Sequence, residues 1–475
     1  MSSPFPVRNP RTGVYDYRIT PTPASEISLI SSTMRVHQET WLQIGLGKRI
    51  AILQQFAESL IDHKETVLKA LEQDTGRSLI SSVEIDGIKG AVDRWAAIAC
   101  AHKNEIGVSS SMPHISYEVT YNPYPLVGVI SPWNFPLTLS FIDALPALIA
   151  GCAVLIKPSE ITPRFAEPLR KILTTIPHLK DVLVLVDGDG ETGAAVVDQV
   201  DTICFTGSVK TGRIVGEQAA RNFIPSFLEL GGKDPAIVLK SADIDHASTA
   251  LLRASILNNG QACQSIERIY VDEAIYADFM EALIHKAQQV TLNSDDIHKG
   301  ILGPIIFEKQ AQILQDQIDD AREKGAVIHT GGHVENHGGS WLKPTVITDL
   351  TPDMLVLTEE TFGPLLPVIP FNTVDEAISR ANDSDYGLSA CVFAATAEEA
   401  IEVGRHLEAG GISINEASLT ALMHEAEKNS FKLSGMGASR MGHSGYLRFF
   451  RRQSLMINNG KALPIHAFDE NYISN

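Results

Sequence analysis

"TICFTGSVKTGRIVGEQAARNFIPSFLELGG" (residues 202–232) sets a short apolar strand, a turn of small residues, a helical stretch and a second strand in succession. The strand "TICFTGS" (202–208) is a short apolar run rather than an alternating one, as expected of a strand covered on both faces. The same unit repeats upstream, where "AVLIKPS" (153–159) and "DVLVLV" (181–186) are strands separated by helical segments. Short apolar strands alternating with helices imply a parallel sheet with helices on its faces. Further upstream, 48–73 and 83–103 carry apolar residues at helical spacing, and "ISYEVTYNPYPLVGVIS" (115–131) alternates like strands. Downstream, the pattern predicts a helix over 243–259, a strand–helix pair in "IERIYVDEAIYADFMEALIHKAQ" (266–288) and a polar helix over 307–324. Strand–helix pairs follow through 411–416, then a helix near 443–452 and a last strand, "SLMINN" (454–459). The expected fold class is α/β, with two α/β lobes meeting near residue 230.

The bulk properties narrow the function classes. A chain of 475 residues exceeds one hydrophobic core and predicts two or three domains. With 39 Lys and Arg against 57 Asp and Glu, the net charge of −18 disfavours nucleic acid or an anionic membrane as partner, since both need a basic face. The longest apolar run, "LPALIAGCAVLI" (145–156), is too short to span a bilayer. Five scattered cysteines (100, 152, 204, 263 and 391) form neither a disulfide framework nor paired metal ligands, so no metal is expected. "MSSPFPVRNPRTG" lacks the basic and apolar regions of a signal peptide, and a cytoplasmic location is the expectation.

Two loops compete as phosphate sites. "DVLVLVDGDGETGAAVVDQ" contains Gly188, Gly190 and Gly193, a literal G-x-G-x-x-G between strand and helix. The next strand, however, ends in Thr206-Gly207-Ser208 and lacks the acidic residue that the dinucleotide fingerprint places there. "CFTGSVKTGRIVG" (204–216) offers an equal alternative, because Gly207 and Ser208 stand where helix N–H groups and the helix dipole favour an anion. In "NNGQACQS" (258–265), Cys263 has two readings: a small packing residue, as most free cysteines are, or a nucleophile.

The stretches "SPWNFP" (131–136), "KPSE" (157–160), "FTGS" (205–208), "LELGGK" (228–233), "GQAC" (260–263) and "EETFGP" (359–364) occur in one order along the chain. In that order they resemble the NAD(P)-dependent aldehyde dehydrogenase superfamily, over roughly 45–460. The resemblance implies a Rossmann-like cofactor-binding domain over 1–112 and 125–230 and a catalytic domain over 231–430. It also implies a small β oligomerisation arm over 113–124 and 453–461, hence a homodimer or homotetramer. It makes Cys263 the nucleophile toward a small-molecule aldehyde, Asn134 an oxyanion donor, and Glu229 the general base for thioester hydrolysis. By the same resemblance Trp133 flanks the site, Lys157 and Glu160 hold the adenosine ribose, and Gly190 lies near the adenine. Ser208 with Gly207 takes the pyrophosphate, Phe205 and Leu230 are further cofactor-binding residues, and Glu360 and Phe362 take the nicotinamide ribose. The implied cofactor is NAD, with NADP less favoured.

Two departures stand out. Gly151-Cys152-Ala153 replaces the usual Gly-Asn-small sequence. The usual Pro-Phe-Gly-Gly-x-Lys before Ser-Gly is replaced by "MHEAEKNSFKLSG" (423–435), so substrate specificity cannot be borrowed; His424, Glu425 and Glu427 either touch substrate or face water, and water is the expectation. Two rival functions remain open: a CoA-acylating semialdehyde dehydrogenase, and a catalytically silent binding or structural protein on the same fold.

Overall fold

The structure is a computed structural model that describes residues 3–471. Its first large sheet has six strands in the order Gly435–Met436, Ser226–Glu229, Thr202–Thr206, Leu126–Ile130, Ala153–Lys157, Leu183–Leu185. The last five are mutually parallel, and Gly435–Met436 runs antiparallel on Ser226–Glu229. Strands Leu126–Ile130, Ala153–Lys157 and Thr202–Thr206 are buried throughout, which explains their continuous apolar runs. Strand order reverses between Leu126–Ile130 and Thr202–Thr206, and open α/β sheets bind ligands in the crevice beyond the C-terminal ends of strands at such a switch.

The second large sheet has seven strands, with Asp234–Val238 and Ile266–Asp272 near its centre and Gly411–Ile414 at one edge. A third sheet pairs Phe450–Asn458 with Ile115–Pro123, and the latter with Glu105–Val108. Glu105–Val108 was not anticipated, nor was the hairpin of Phe5–Arg8 and Tyr15–Ile19. Residues on the first sheet's covering helices, Phe56, Trp95 and Phe141 among them, form one core with Leu126, Leu155 and Ile203. Each such side chain contributes roughly 1.5–3 kcal/mol by leaving water. Tyr446 and Phe449 join this same core from far along the chain.

Several expected elements shift. The periodic stretch 48–73 is two helices, Leu46–Asp62 and Lys64–Thr75, broken at His63, which leaves helical geometry. "DVLVLV" begins inside a helical turn, Leu179–Val182, and only Leu183–Leu185 pair. The helix expected over 243–259 stops at Ile256, because Asn258 and Asn259 take left-handed backbone at φ 55° and 60°. Asparagine tolerates that region better than other non-glycine residues. The last strand starts at Phe450 rather than 454, since it follows Ile115–Pro123 along its whole length. Among the described residues no helix is long and apolar enough to cross a membrane.

Candidate active site

A cavity of about 770 Å³ opens at the strand reversal. Its walls contain Trp133, Asn134, Lys157, Glu160, Gly190, Phe205, Gly207, Ser208, Leu230, Cys263, Glu360 and Phe362. Strand register accounts for much of this: Ile130 pairs with both Lys157 and Phe205, and Thr206 with Glu229, so four consecutive loops leave the sheet on one edge. Of the expected residues only Glu229 lies outside the cavity wall. It is half-buried, and its Oε2 accepts a hydrogen bond from Ser430 Oγ at 3.1 Å.

At one end of the cavity, Lys157 Nζ donates to Glu160 Oε2 at 2.9 Å; the lysine side chain is 5% exposed and the glutamate 36%. Two helices begin beside this pair. Asp189 caps Gly190–Val197, accepting from Glu191 N, and Ser208 caps Val209–Arg221, accepting from Thr211 N. A Cβ at Gly190 would meet no protein atom within 4 Å, so its backbone is open to the cavity. A Cβ at Gly188 would instead run into the Thr192 side chain, and this glycine is required by the turn itself. The literal G-x-G-x-x-G thus lies on the cavity without forming the usual fingerprint.

The other end is assembled from distant segments. Cys263 is part-exposed, whereas Cys152, Cys204 and Cys391 are buried and Cys100 is exposed. The cysteine loop is locked by Asn258 Nδ2 donating to the Asn134 and Gln261 carbonyls, both at 3.0 Å. Gln261 returns a bond from Nε2 to Asn258 O at 2.9 Å and accepts Ile306 N at 2.8 Å. Asn134, 2% exposed, donates from Nδ2 to Gln261 O at 3.0 Å across 127 positions of sequence. An amide carries two such protons, and the second forms no hydrogen bond among the described residues. Arg77 Nη2 donates to Asn134 O at 2.9 Å, and Glu84 accepts Leu137 N and Thr138 N at the start of the following helix.

The Glu360–Phe362 segment rests on a buried ion pair that the motifs did not reveal. Lys233 Nζ bonds Glu267 Oε2 at 3.0 Å and Thr361 Oγ1 at 2.7 Å, while Glu267 accepts Thr361 N and Phe362 N, each at 2.8 Å. Phe362 packs edge-on against Trp133 with centroids 5.2 Å apart. The Glu360 carboxylate lies where a Cβ on Gly231 would fall, 2.7 Å away, and accepts Gly232 N. Burial, then Glu267, pushes its pKa up to about 8. Burial first, then Asp234 and Glu229, pushes the Cys263 thiol up to about 12, while Lys428 opposes them.

The departing loop is also defined. Glu427 is exposed as expected, and it also accepts Ser444 N at 2.7 Å and Ser444 Oγ at 2.5 Å and so ties the loop to the helix Gly442–Leu447. His424 is half-buried rather than solvated, and Glu425 is exposed and accepts His424 N. Cys152 is a packing residue, with its thiol directed at Phe449 O.

Comparison with known proteins agrees with this geometry. The sequence model of the Aldehyde dehydrogenase family matches residues 1–455. A protein of Mycolicibacterium smegmatis named "Putative succinate-semialdehyde dehydrogenase (NADP+)" is 33% identical over 439 residues, 91% of this chain and 84% of that protein. The solved structure of the "Putative Aldehyde Dehydrogenase PutA" from Anabaena variabilis superposes with a TM-score of 0.95 at 50% identity, covering 99% of this chain and 100% of that one. Betaine aldehyde dehydrogenase from Staphylococcus aureus in complex with NAD+ superposes at 0.90 with 28% identity, covering 99% and 94%. With the ordered loops on one cavity and the family matched over nearly its whole length, the chain belongs to the aldehyde dehydrogenase family and is a pyridine-nucleotide-dependent oxidoreductase that converts an aldehyde to the carboxylic acid.

Proposed function

We propose that Cys263 is the nucleophile, Asn134 with the Cys263 N–H the oxyanion donors, and Glu229 the base that activates water. The observation that supports this reading is the convergence of Asn134 and the Cys263 loop, hydrogen-bonded across 127 positions, on a cavity that also carries two helix N-termini. Addition of Cys263 Sγ to the carbonyl carbon forms a C–S bond and leaves an oxyanion. The free Asn134 amide proton and the Cys263 N–H stabilise it, a contribution that typically amounts to 10²–10³ in rate. When bound, the pyridine nucleotide supplies the hydride acceptor that turns this tetrahedral carbon into a thioester. Glu229 then takes a proton from water as its oxygen attacks the thioester, the C–S bond breaks, Cys263 leaves as thiolate and the carboxylic acid departs.

The cavity suits the nucleotide. Asp189 already places a carboxylate on one helix N-terminus, so a pyrophosphate is directed to the other, at Gly207 and Ser208. Phe205 and Leu230 give apolar cover beside it, Gly190 leaves space on the adenine side, and Glu360, Phe362 and Trp133 frame the nicotinamide end. Lys157 and Glu160 meet the adenosine ribose. We further propose NAD as the preferred cofactor, because a 2′-phosphate would lie against the Glu160 carboxylate, although the mycobacterial relative is named for NADP+. The domain boundaries expected from sequence accompany this reading. Ile106, Val108, Leu455, Met456 and Ile457, exposed on the three-stranded sheet, favour pairing of subunits through that arm.

The test is Glu229→Gln. It leaves the nucleophile in place, so we expect a burst of reduced cofactor no larger than the enzyme concentration, with acyl-Cys263 visible by intact mass. Steady-state turnover falls roughly 10²–10⁴-fold. The wild-type enzyme turns over without added coenzyme A. A requirement for coenzyme A, or full turnover by the variant, would overturn the assignment.

A further inference from the structure

Lys428 lies in the loop that departs from the family pattern. Its Nζ is buried and has no hydrogen-bond partner among the described residues. An ammonium has three protons to donate, and burying it with none satisfied is costly unless opposite charge is close. The loop holds it in place at both sides. Lys428 N donates to Ser439 Oγ at 3.1 Å, and two residues on Ser430 Oγ bonds Glu229. The lysine stem runs against the edge strand Gly411–Ile414, where a Cβ on Gly411 would come within 2.9 Å of Lys428 Cδ.

The charges around the ammonium are those of the reaction. Glu229, Asp234 and Cys263 favour its protonated form; Arg440 opposes it, and burial, the largest influence, holds its pKa below the ordinary lysine value. Around Cys263 the carboxylates are Glu229, Asp234 and Glu360, and Lys428 acts against them, in favour of the thiolate. Asp234 is already engaged, with Oδ1 accepting Ser389 N and Oδ2 accepting Ser389 Oγ, so it does not complete the lysine's bonding.

We infer that Lys428 is a further positioning residue of the reaction, a buried counter-ion shared by Cys263 and Glu229 that favours the Cys263 thiolate against the surrounding carboxylates. The inference rests on the proposed nucleophile role of Cys263. In sequence, the ammonium faces the thiolate before addition; once the sulfur is acylated and uncharged, it faces only the carboxylates. No atom is transferred to or from Lys428 in this scheme.

The experiment follows iodoacetamide alkylation of the full-length protein by peptide mass mapping between pH 6 and 10, in wild type, Lys428→Met, Lys428→Gln and Lys428→Arg. Exposed Cys100 is the internal reference, and its rate should be the same in all four proteins. The neutral variants are expected to alkylate Cys263 about tenfold more slowly at each pH on the rising part of the profile, a displacement of about one unit to higher pH. Lys428→Arg, which keeps the cation, should recover most of the wild-type rate. A Lys428→Met or Lys428→Gln profile that superposes on wild type overturns the inference. So does an equal slowing at all pH values in the Arg and neutral variants, which would mark a purely steric support. Cys263→Ser separates the two levels: full aldehyde turnover by that variant would end the nucleophile reading, whereas an inactive Cys263→Ser with unshifted Lys428 variants ends only the counter-ion role.

Discussion

The two ends of the cavity are built differently. At the end proposed for the nucleotide, Lys157 and Glu160 are three residues apart, and the Gly190 and Ser208 turns each join a strand to the helix that follows it. At the reaction end, Asn134, Gln261 and Pro304 meet from three separate segments, and the Glu360 strip hangs on Lys233 and Glu267. The backbone differs as well: Asn258, Asn259 and Phe362 are left-handed at the reaction end, at a cost on the order of 1–3 kcal/mol each that the surrounding bonds must hold. The end proposed for the nucleotide needs only local structure and a half-open surface. The reaction end needs atoms placed to a fraction of an ångström, and long-range bonds supply that.

Four measurements would break or sharpen this contrast. The largest effect is expected at the reaction end, where Asn134→Ala removes an oxyanion donor and lowers kcat by about 10²–10³, with cofactor dissociation constant unchanged. Loss of cofactor binding in that variant would show that the two ends are not separable. At the nucleotide end, Glu160→Gln should shift the ratio of kcat/KM for NAD over NADP by about tenfold toward NADP, since a screened, half-exposed charge is removed. An unchanged ratio refutes the ribose role of Glu160. Gly190→Ala comes next: with no protein atom near the new methyl, thermal stability should stay within about 0.5 kcal/mol while the nucleotide KM rises. A rise in aldehyde KM alone would place Gly190 away from the nucleotide.

The smallest effect concerns Glu360. Its folded pKa, about 8, lies above its unfolded value, so the native state binds the extra proton between them. The stability this adds is present at low pH and lost as pH rises from about 4.5 to about 8. Tm should therefore fall with rising pH over that window in wild type and fall less in Glu360→Gln, by an amount on the order of a degree or two. Equal slopes in the two proteins would show that Glu360 has the same proton affinity folded and unfolded.

Lys428 and Glu229 bear on the same contrast. The ordered motifs singled out Glu229, which sits at a strand end beside Leu230 and Gly231, yet its carboxylate turns to Ser430 on a loop two hundred residues later. Lys233 stands within "LELGGK", where nothing local shows that Glu267 and Thr361 are its partners. Asn258 and Asn259 were read as the end of a helix, although paired asparagines before Gly260 are a signal for left-handed backbone that could have been used. Glu427 is exposed as its sequence suggests, but its bond to Ser444 is visible only once the loop is folded back.

By itself, then, the sequence determined what short-range physics controls: buried apolar strands, their alternation with helices, the two turns facing one sheet edge, and the identity of a cysteine set among small residues. Strand and helix periodicity are properties of neighbours in the chain, and small residues at a strand end mark a turn wherever that strand finally pairs. The tertiary structure alone decided which distant groups meet: the Asn134–Gln261 bond, the support of Glu360 by Lys233 and Glu267, and the Ser430–Glu229 bond that brings the loop of buried Lys428 to the site. These depend on charge and hydrogen bonding between segments that approach only after both sheets have packed, where a low local dielectric strengthens each pair and makes each unpaired group costly.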